Sequence, residues 1–230
     1  MSYCGELEEL VRVDQHIYEL GVEIAYTVLW LDGSYAEIPP KIIERAVSEV
    51  RNKYRIESLP SVPEVRAYRD FYWRIGIDPT KTRPSSEALV RRVLRGEYPR
   101  INALVDAGNV ASIETLVPIG IYDLEKAAPP LLLTLSKGGE VFSPLGGREE
   151  LLPPGLPILV DSRGLVMHLY PHRDSRLTCV LPETRLALVV GGGVPGILRD
   201  RVVQAVRRVV EILSEVNWKN CGKIVLKASS

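Results

Sequence analysis

The order of apolar and polar residues predicts helices in the first half of the chain and short strands in the second half. A β-rich run at 22–31 comes first and ends at the turn signal Asp32–Gly33. Apolar residues then recur at helical spacing in four segments, at 39–54, 63–76, 85–95 and 102–116. Short apolar runs between glycine and proline turns predict strands at 117–122, 131–135, 158–160, 165–170 and 186–190. A last amphipathic helix at 197–216 precedes a short strand at 224–226.

Helices and strands that are segregated in this way predict an α+β fold. We expect a mixed or antiparallel β-sheet as the core, with helices flanking it. Residues 1–60 supply about one strand and one or two helices, which is too little for an independent core. We therefore expect a single domain over 1–230, in which the N-terminal strand and helix pack on the same core as residues 61–218.

Composition excludes some classes of protein. The chain carries 29 basic and 29 acidic side chains, so no global field draws it to nucleic acid or membrane. The longest apolar runs are too short to span a bilayer, and the acidic start is unlike a signal peptide. We therefore expect a cytoplasmic protein without membrane contact. Only two glutamines occur among the 230 residues, which favours a thermophilic source.

The cysteines and histidines give little sign of a metal or cofactor. Cys4, Cys179 and Cys221 are odd in number and form no C-x-x-C pair, so we expect reduced structural thiols. His168 and His172 lie four residues apart in a predicted strand that runs into Pro171. Extended backbone separates two such residues by about 13 Å. That separation is too large for one metal ion, and His16 has no evident partner. We expect no metal site and no cofactor.

A glycine-rich stretch at 191–196 matches the dinucleotide-binding pattern G-x-G-x-x-G. That pattern requires a full βαβ unit with an acidic residue near the end of its second strand, and only a short strand flanked by lysines follows here. We therefore interpret the stretch as a turn between a strand and a helix, not as a dinucleotide site.

A locally basic stretch lies between residues 66 and 100. It holds nine basic and four acidic side chains, a balance of +5, and tyrosine and tryptophan residues are interleaved. Basic groups neutralise phosphates, and aromatic rings stack on unpaired bases. The RNA-binding candidates are Arg69, Arg83, Arg91, Arg92 and Arg95. The alternative is a solvated helix face with a packed aromatic stripe, and the sequence leaves both open.

Three motifs follow one another in a recognisable order. Residues 68–100 read YRDFYWRIGIDPTKTRPSSEALVRRVLRGEYPR, and the next motif pairs Val105, Asp106 and Asn109 with Pro118, Tyr122 and Asp123. The run Tyr-Pro-His-Arg-Asp-Ser at 170–175 comes later and is followed by Glu183–Thr184. From about residue 63 to 216, the chain resembles the stand-alone relatives of the B3/B4 editing domain of the phenylalanyl-tRNA synthetase β subunit.

The resemblance implies a B3/B4-like α+β fold and a role with aminoacyl-tRNA. In the synthetase, this domain hydrolyses tRNA wrongly charged with tyrosine, so the implied partner is tRNA or aminoacyl-tRNA. The implied catalytic candidates are Asp106, Asn109 and His172. The implied substrate-binding candidates are Gly120, Tyr122, Asp123, Arg173 and Ser175. If these residues form one site, they should converge on a single cleft.

The chain departs from the synthetase motif at Gly120, where the motif has a histidine. Two functions stay open for this reason. One is a free-standing editing-like domain that hydrolyses mischarged aminoacyl-tRNA with a rearranged site. The other is a non-catalytic module that binds tRNA or an amino-acid-like ligand. A third possibility is a structural partner in a larger complex.

Overall fold

Residues 2–229 are described by a computed structural model of the chain. Its helices are α1 (Ser2–Gly5), α2 (Leu7–Leu10), α3 (Gln15–Glu19), α4 (Pro40–Lys53), α5 (Pro63–Arg74), α6 (Ser85–Leu94), α7 (Ala103–Thr115) and α8 (Arg199–Ser214), with a short 3₁₀ turn at Leu59–Ser61. The strands up to the middle of the chain are β1 (Val11–Val13), β2 (Glu23–Leu31), β3 (Ile119–Asp123), β4 (Leu131–Leu135), β5 (Val141–Phe142) and β6 (Glu150–Leu151). The later strands are β7 (Pro157–Val160), β8 (Val166–Leu169), β9 (Arg173–Asp174), β10 (Leu186–Gly193), β11 (Trp218–Asn220) and β12 (Val225–Lys227).

The first sheet is antiparallel throughout and has the order β11-β2-β10-β3, with β12 also paired to β2. Strand β2 is buried on both faces because its side chains alternate between two cores. Ala25 and Leu29 face a core that is shared with the helices α4, α7 and α8, whereas Ile24, Tyr26 and Val28 face a second core. The N-terminal strand is therefore an inner strand of this sheet.

The second sheet has the order β1-β4-β7-β8-β9, with β1 parallel to β4 and the other pairs antiparallel. Its apolar side chains, such as Leu133, Leu159 and Met167, share the second core with β2 and β10. The aromatic residues Tyr68, Phe71 and Tyr72 of α5 also belong to this core. The prediction of an α+β fold with mixed and antiparallel sheets flanked by helices is confirmed.

The interpretation of the triple glycine as a turn was wrong, since Gly191, Gly192 and Gly193 are the last residues of β10. A Cβ atom on Gly191 would lie 3.0 Å from Cγ2 of Val206 on α8, and one on Gly192 would lie 2.8 Å from the hydroxyl of Tyr170. The absence of side chains lets a helix and a tyrosine approach the strand from both sides.

The expectation of three reduced thiols was also wrong. Cys4 and Cys221 form a disulfide bond across a sequence separation of 217 residues, whereas Cys179 is a free thiol. The fold brings α1 next to the connection between β11 and β12, and sequence spacing does not reveal that proximity. Within residues 2–229, no helix is long and apolar enough to cross a membrane.

We predict that the double variant Cys4→Ser/Cys221→Ser is less stable than the wild type by about 2–4 kcal/mol, because a disulfide restricts the unfolded chain. The measurement is denaturant unfolding without reductant. The free energy of unfolding of the wild type should fall by the same amount when reductant is added. The control Cys179→Ser should change this free energy little. Equal stability of the wild type with and without reductant would contradict the prediction.

Candidate functional site

Two joined cavities lie beside the second core. The inner chamber has a volume of about 60 Å³ and is lined mostly by apolar residues of the two sheets, including Val11, Ile24, Leu133, Leu159, Tyr170 and Val190. The outer cleft has a volume of about 320 Å³ and is lined mainly by residues of α6 and α7 and the loops before them. Ser85, Ile119 and His172 line both spaces, so the cleft leads into the chamber.

The inner chamber has a polar wall formed by His168, Asp174 and Tyr122. The pairing of β8 with β9 places His168 opposite Asp174, and Nδ1 of His168 lies 2.8 Å from Oδ1 of the carboxylate. Because a carboxylate accepts hydrogen bonds, the proton of a neutral His168 belongs on Nδ1, which leaves Nε2 as the basic nitrogen. This is how an aspartate orients a histidine for general-base catalysis.

Tyr122 packs its ring against the edge of His168, with the ring centroids 5.9 Å apart. Burial raises the pKa of Tyr122 well above its usual value, and the charge of Asp174 and a hydrogen bond to that carboxylate add to the effect. The phenol is therefore protonated. The rings of Tyr122 and His168 and the carboxylate of Asp174 lie together on this wall of the chamber.

Gly120 lies two residues before Tyr122 on β3, so both residues face the same side of the strand. A Cβ atom on Gly120 would lie only 2.0 Å from the hydroxyl oxygen of Tyr122. The tyrosine hydroxyl thus occupies the space that a side chain at position 120 would need. A side chain at position 120 is therefore incompatible with the position of the Tyr122 ring.

His172 lies at the junction of the two cavities, after the chain turns at the end of β8. Its backbone N–H donates to the Leu169 carbonyl at 3.0 Å, and its ring packs 5.5 Å from that of Tyr72. Its Nδ1 atom is buried and has no hydrogen-bond partner within the described part of the chain. Burial, with smaller contributions from the neighbouring His168 and Arg173, lowers the pKa of His172 to about 3.

The turn at His172 brings both histidines to one chamber, unlike the extended strand that the sequence predicted. Their neighbours do not form a metal centre. Among residues 2–229, no group of three or more histidine, cysteine, aspartate or glutamate side chains is arranged to hold a metal ion.

The outer cleft carries polar and basic groups. Asn109 and Ser112 of α7 line it, together with Arg83 and Arg92. Both arginines are exposed, and neither forms an ion pair with any carboxylate that the structure describes. Arg95 is also exposed, one turn further along the same segment.

Arg69 and Arg91 have a different role, because both are bound to the buried carboxylate of Glu87. Arg69 makes two hydrogen bonds to Glu87, at 2.8 and 3.0 Å, and Nε of Arg91 makes a third at 2.8 Å. The Glu87 side chain is fully buried, so removing either arginine would leave its charge poorly compensated. We therefore regard these two arginines as structural and retain Arg83, Arg92 and Arg95 as candidates for phosphate contacts.

Four other candidates lie outside the linings of both cavities. Asp106 is buried, which raises its pKa, and accepts a hydrogen bond from the Ile101 N–H at 2.9 Å. Asp123 accepts a hydrogen bond from the Thr184 hydroxyl at 2.7 Å. Arg173 pairs with Glu150, and Ser175 is buried beside β5.

The joined cavities therefore bring together four of the eight catalytic and substrate-binding candidates, namely Asn109, Gly120, Tyr122 and His172. Sequence reasoning missed His168 as a site residue, and with it Asp174. The available signal was a histidine and an aspartate six residues apart on either side of Pro171, which is the spacing of facing positions across a strand turn.

The two sheets and their flanking helices define an α+β fold with two joined cavities. The family model described as the B3/4 domain matches residues 67–216, and the chain belongs to that family. The resemblance to B3/B4 domains seen in the sequence is thereby confirmed.

Similar curated proteins are phenylalanine–tRNA ligase β subunits. The subunit from Pyrococcus abyssi is 32% identical over 124 residues, which is 45% of this chain and 22% of the relative. The subunit from Thermococcus gammatolerans is 33% identical over 120 residues, which is 43% of this chain and 21% of the relative. The matches thus span only about a fifth of these relatives' lengths.

A solved structure shares the fold. The crystal structure of an N-terminal fragment of the phenylalanyl-tRNA synthetase β subunit from Pyrococcus horikoshii aligns with a TM-score of 0.51 at 17% sequence identity. The alignment covers 95% of this chain and 54% of the fragment, so the similarity of fold extends into the N-terminal strand and helix.

We predict that His172 makes the protein sensitive to acid. Its pKa is depressed in the native state, so below its ordinary value of 6.5 the unfolded chain binds a proton that the native protein does not. The free energy of unfolding should then fall as the pH falls, and His172→Gln should remove about 1 kcal/mol of the loss between pH 6 and pH 5. Urea unfolding at both pH values measures this.

The control is the exposed His16, whose pKa is raised by its hydrogen bond to Asp14. A raised pKa has the opposite linkage, so His16→Gln should not reduce the acid sensitivity. If His172→Gln and the wild type lose the same stability over this pH range, His172 is not buried in its neutral form.

Proposed function

We propose that this chain binds the aminoacylated 3′ end of a tRNA in the joined cavities and hydrolyses the aminoacyl ester, as a free-standing editing-like domain. One observation carries the proposal: a basic outer cleft opens into a small chamber whose wall holds an aspartate-oriented histidine. Membership of the B3/4 family and relatives named as phenylalanine–tRNA ligase β subunits support tRNA as the substrate class.

The two spaces suit the two ends of such a ligand. The exposed guanidinium groups of Arg83 and Arg92 edge the outer cleft, where they can neutralise backbone phosphates of the terminal nucleotides. The apolar walls of the inner chamber suit an amino-acid side chain. The ester that joins the two parts then lies at the mouth of the inner chamber, between His172 at the junction and His168 on the chamber wall.

The hydrolytic step uses water as the nucleophile. Nε2 of His168 takes a proton from the water while the water oxygen attacks the ester carbonyl carbon, and Asp174 stabilises the imidazolium that forms. When the tetrahedral intermediate collapses, the bond to the 3′ oxygen breaks and the imidazolium returns its proton to that oxygen. The products are the free amino acid and uncharged tRNA.

The remaining candidates have supporting roles in this proposal. His172 is neutral and forms part of the wall that contacts the substrate at the junction, and Asn109 hydrogen-bonds the terminal nucleotide in the outer cleft. Gly120 makes room for the Tyr122 hydroxyl. Asp106, Asp123, Arg173 and Ser175 hold the loops and strand ends around the cavities.

A second function is favoured by Gly120, which stands where the family motif has a histidine. If His168 does not replace that imidazole, the same cavities serve a module that binds aminoacylated tRNA without hydrolysing it. The two functions share the binding geometry and differ only in the chemical step.

The first experiment measures ester hydrolysis. Purified protein should deacylate at least one tRNA in a panel of correctly charged and mischarged tRNAs. His168→Gln should lower kcat by about 10²–10⁴ with little change in tRNA affinity, because general-base catalysis contributes about that factor. The control His16→Gln should keep full activity. Binding without deacylation by the wild type would establish the non-catalytic function instead.

The second experiment measures the salt dependence of tRNA binding. Arg83→Ala/Arg92→Ala should reduce the slope of log affinity against log salt by about 0.7–0.9 for each phosphate group that these two arginines neutralise in the wild type. The matched control is Arg148→Ala/Arg207→Ala, which removes two exposed arginines outside the cavity linings. The same slope for both double variants would exclude the outer cleft as the phosphate site.

A further inference from the structure

The inner chamber is small for a site that accepts an amino-acid side chain. Its volume is about 60 Å³, whereas an engineered apolar cavity that binds benzene has a volume of about 150 Å³. A space of this size takes a few methyl or methylene groups and no aromatic ring.

Most of the wall of the chamber belongs to the core, and Pro118, Pro171 and His172 of two loops complete it. Leu133, Leu159 and Val190 lie on strands of the two sheets, and each is buried. Core strands are packed at the density of organic crystals, so the strand side of the chamber does not widen without disturbing the core.

Two tyrosine hydroxyls border the chamber. The Tyr170 hydroxyl donates to the Gly193 carbonyl at 2.7 Å and lies over Gly192. The Tyr122 side chain is buried in the core, and its hydroxyl lies over Gly120. Because one hydroxyl is held by a hydrogen bond and the other belongs to a ring packed in the core, neither moves aside at low cost for a larger ligand.

From this geometry we propose that the inner chamber selects small aliphatic side chains, of the size of alanine or valine, and excludes phenylalanine and tyrosine. The Tyr122 hydroxyl above Gly120 sets the size limit. The inference rests on the proposed function, because it takes the ligand to be an aminoacyl group, and it makes the substrate class of this chain different from the tyrosyl class.

The test uses stable analogues in which an amide joins the amino acid to 3′-amino-3′-deoxyadenosine. Alanyl, valyl, leucyl, phenylalanyl and tyrosyl analogues are titrated into the wild-type protein by calorimetry. The alanyl or valyl analogue should bind at least about 30-fold more tightly than either aromatic analogue, in the range expected for side chains that a rigid pocket cannot hold. An aromatic analogue that binds as tightly as the valyl one overturns the proposal.

Two variants test the role of the hydroxyl. Tyr122→Phe removes the oxygen and should raise the affinity of the leucyl analogue relative to the alanyl one by about 5-fold or more. The control Tyr18→Phe removes a hydroxyl from a tyrosine that lines neither cavity and should keep the wild-type ratio. The ratio of affinities does not depend on the fraction of folded protein. A ratio unchanged in Tyr122→Phe would show that the hydroxyl does not set the size limit.

The analogues cannot be hydrolysed, so the size claim and the hydrolytic claim fail separately. If the small analogues bind more tightly than the aromatic ones but no tRNA is deacylated, the selectivity of the chamber is supported and the proposal of hydrolysis is overturned. Deacylation with a preference for aromatic esters overturns the selectivity alone. Failure of all five analogues to bind overturns both.

Discussion

The close approach of three groups to the end of strand β10 is the constraint on which the rest of the structure depends. Helix α8 packs directly on Gly191 and Gly193, while Tyr170 lies on the other face over Gly192. The hydroxyls of Tyr68 and Tyr170 donate to the carbonyls of Gly192 and Gly193, which ties α5 and the end of β8 to the same strand. A side chain at Gly191 or Gly193 would push α8 away from the sheet, and one at Gly192 would push away Tyr170 and with it the end of β8. The cavity between the two sheets has its present form because Tyr170 can approach Gly192 closely.

Much of the fold follows from local pattern, and the exceptions have a physical reason. The long helices and the strands β2, β4 and β10 are predicted by apolar spacing because each buries a continuous stripe or face. The two-residue strands β5, β6 and β9 are defined by their partners in space and have too few residues for a periodic signal. The sequence predicts a turn at the glycines of β10 because it does not show that a helix and a tyrosine need the space beside them.

The candidate site could be predicted only in part, because the sequence shows which residues are available and does not show strand register. Asn109, Gly120, Tyr122 and His172 reach the cavities, but the partnership of His168 with Asp174 depends on how β8 pairs with β9. The basic stretch illustrates the same limit. Glu87 is buried between Arg69 and Arg91 and forms ion pairs with both. These two arginines are therefore structural, although the sequence predicts them as RNA-binding residues.

The bond between Cys4 and Cys221 gives the chain the topology of a closed loop, with nearly the whole fold inside it. One cut in a linear chain gives two separate polypeptides. One cut in a closed loop leaves a single covalently connected molecule. A protease that nicks any surface loop between these cysteines therefore releases nothing under oxidising conditions. The two fragments on either side of the cut stay linked through the disulfide bond and therefore at a high effective concentration. Their β-strands can pair again, so the cleaved protein can recover its fold although the peptide bond stays broken.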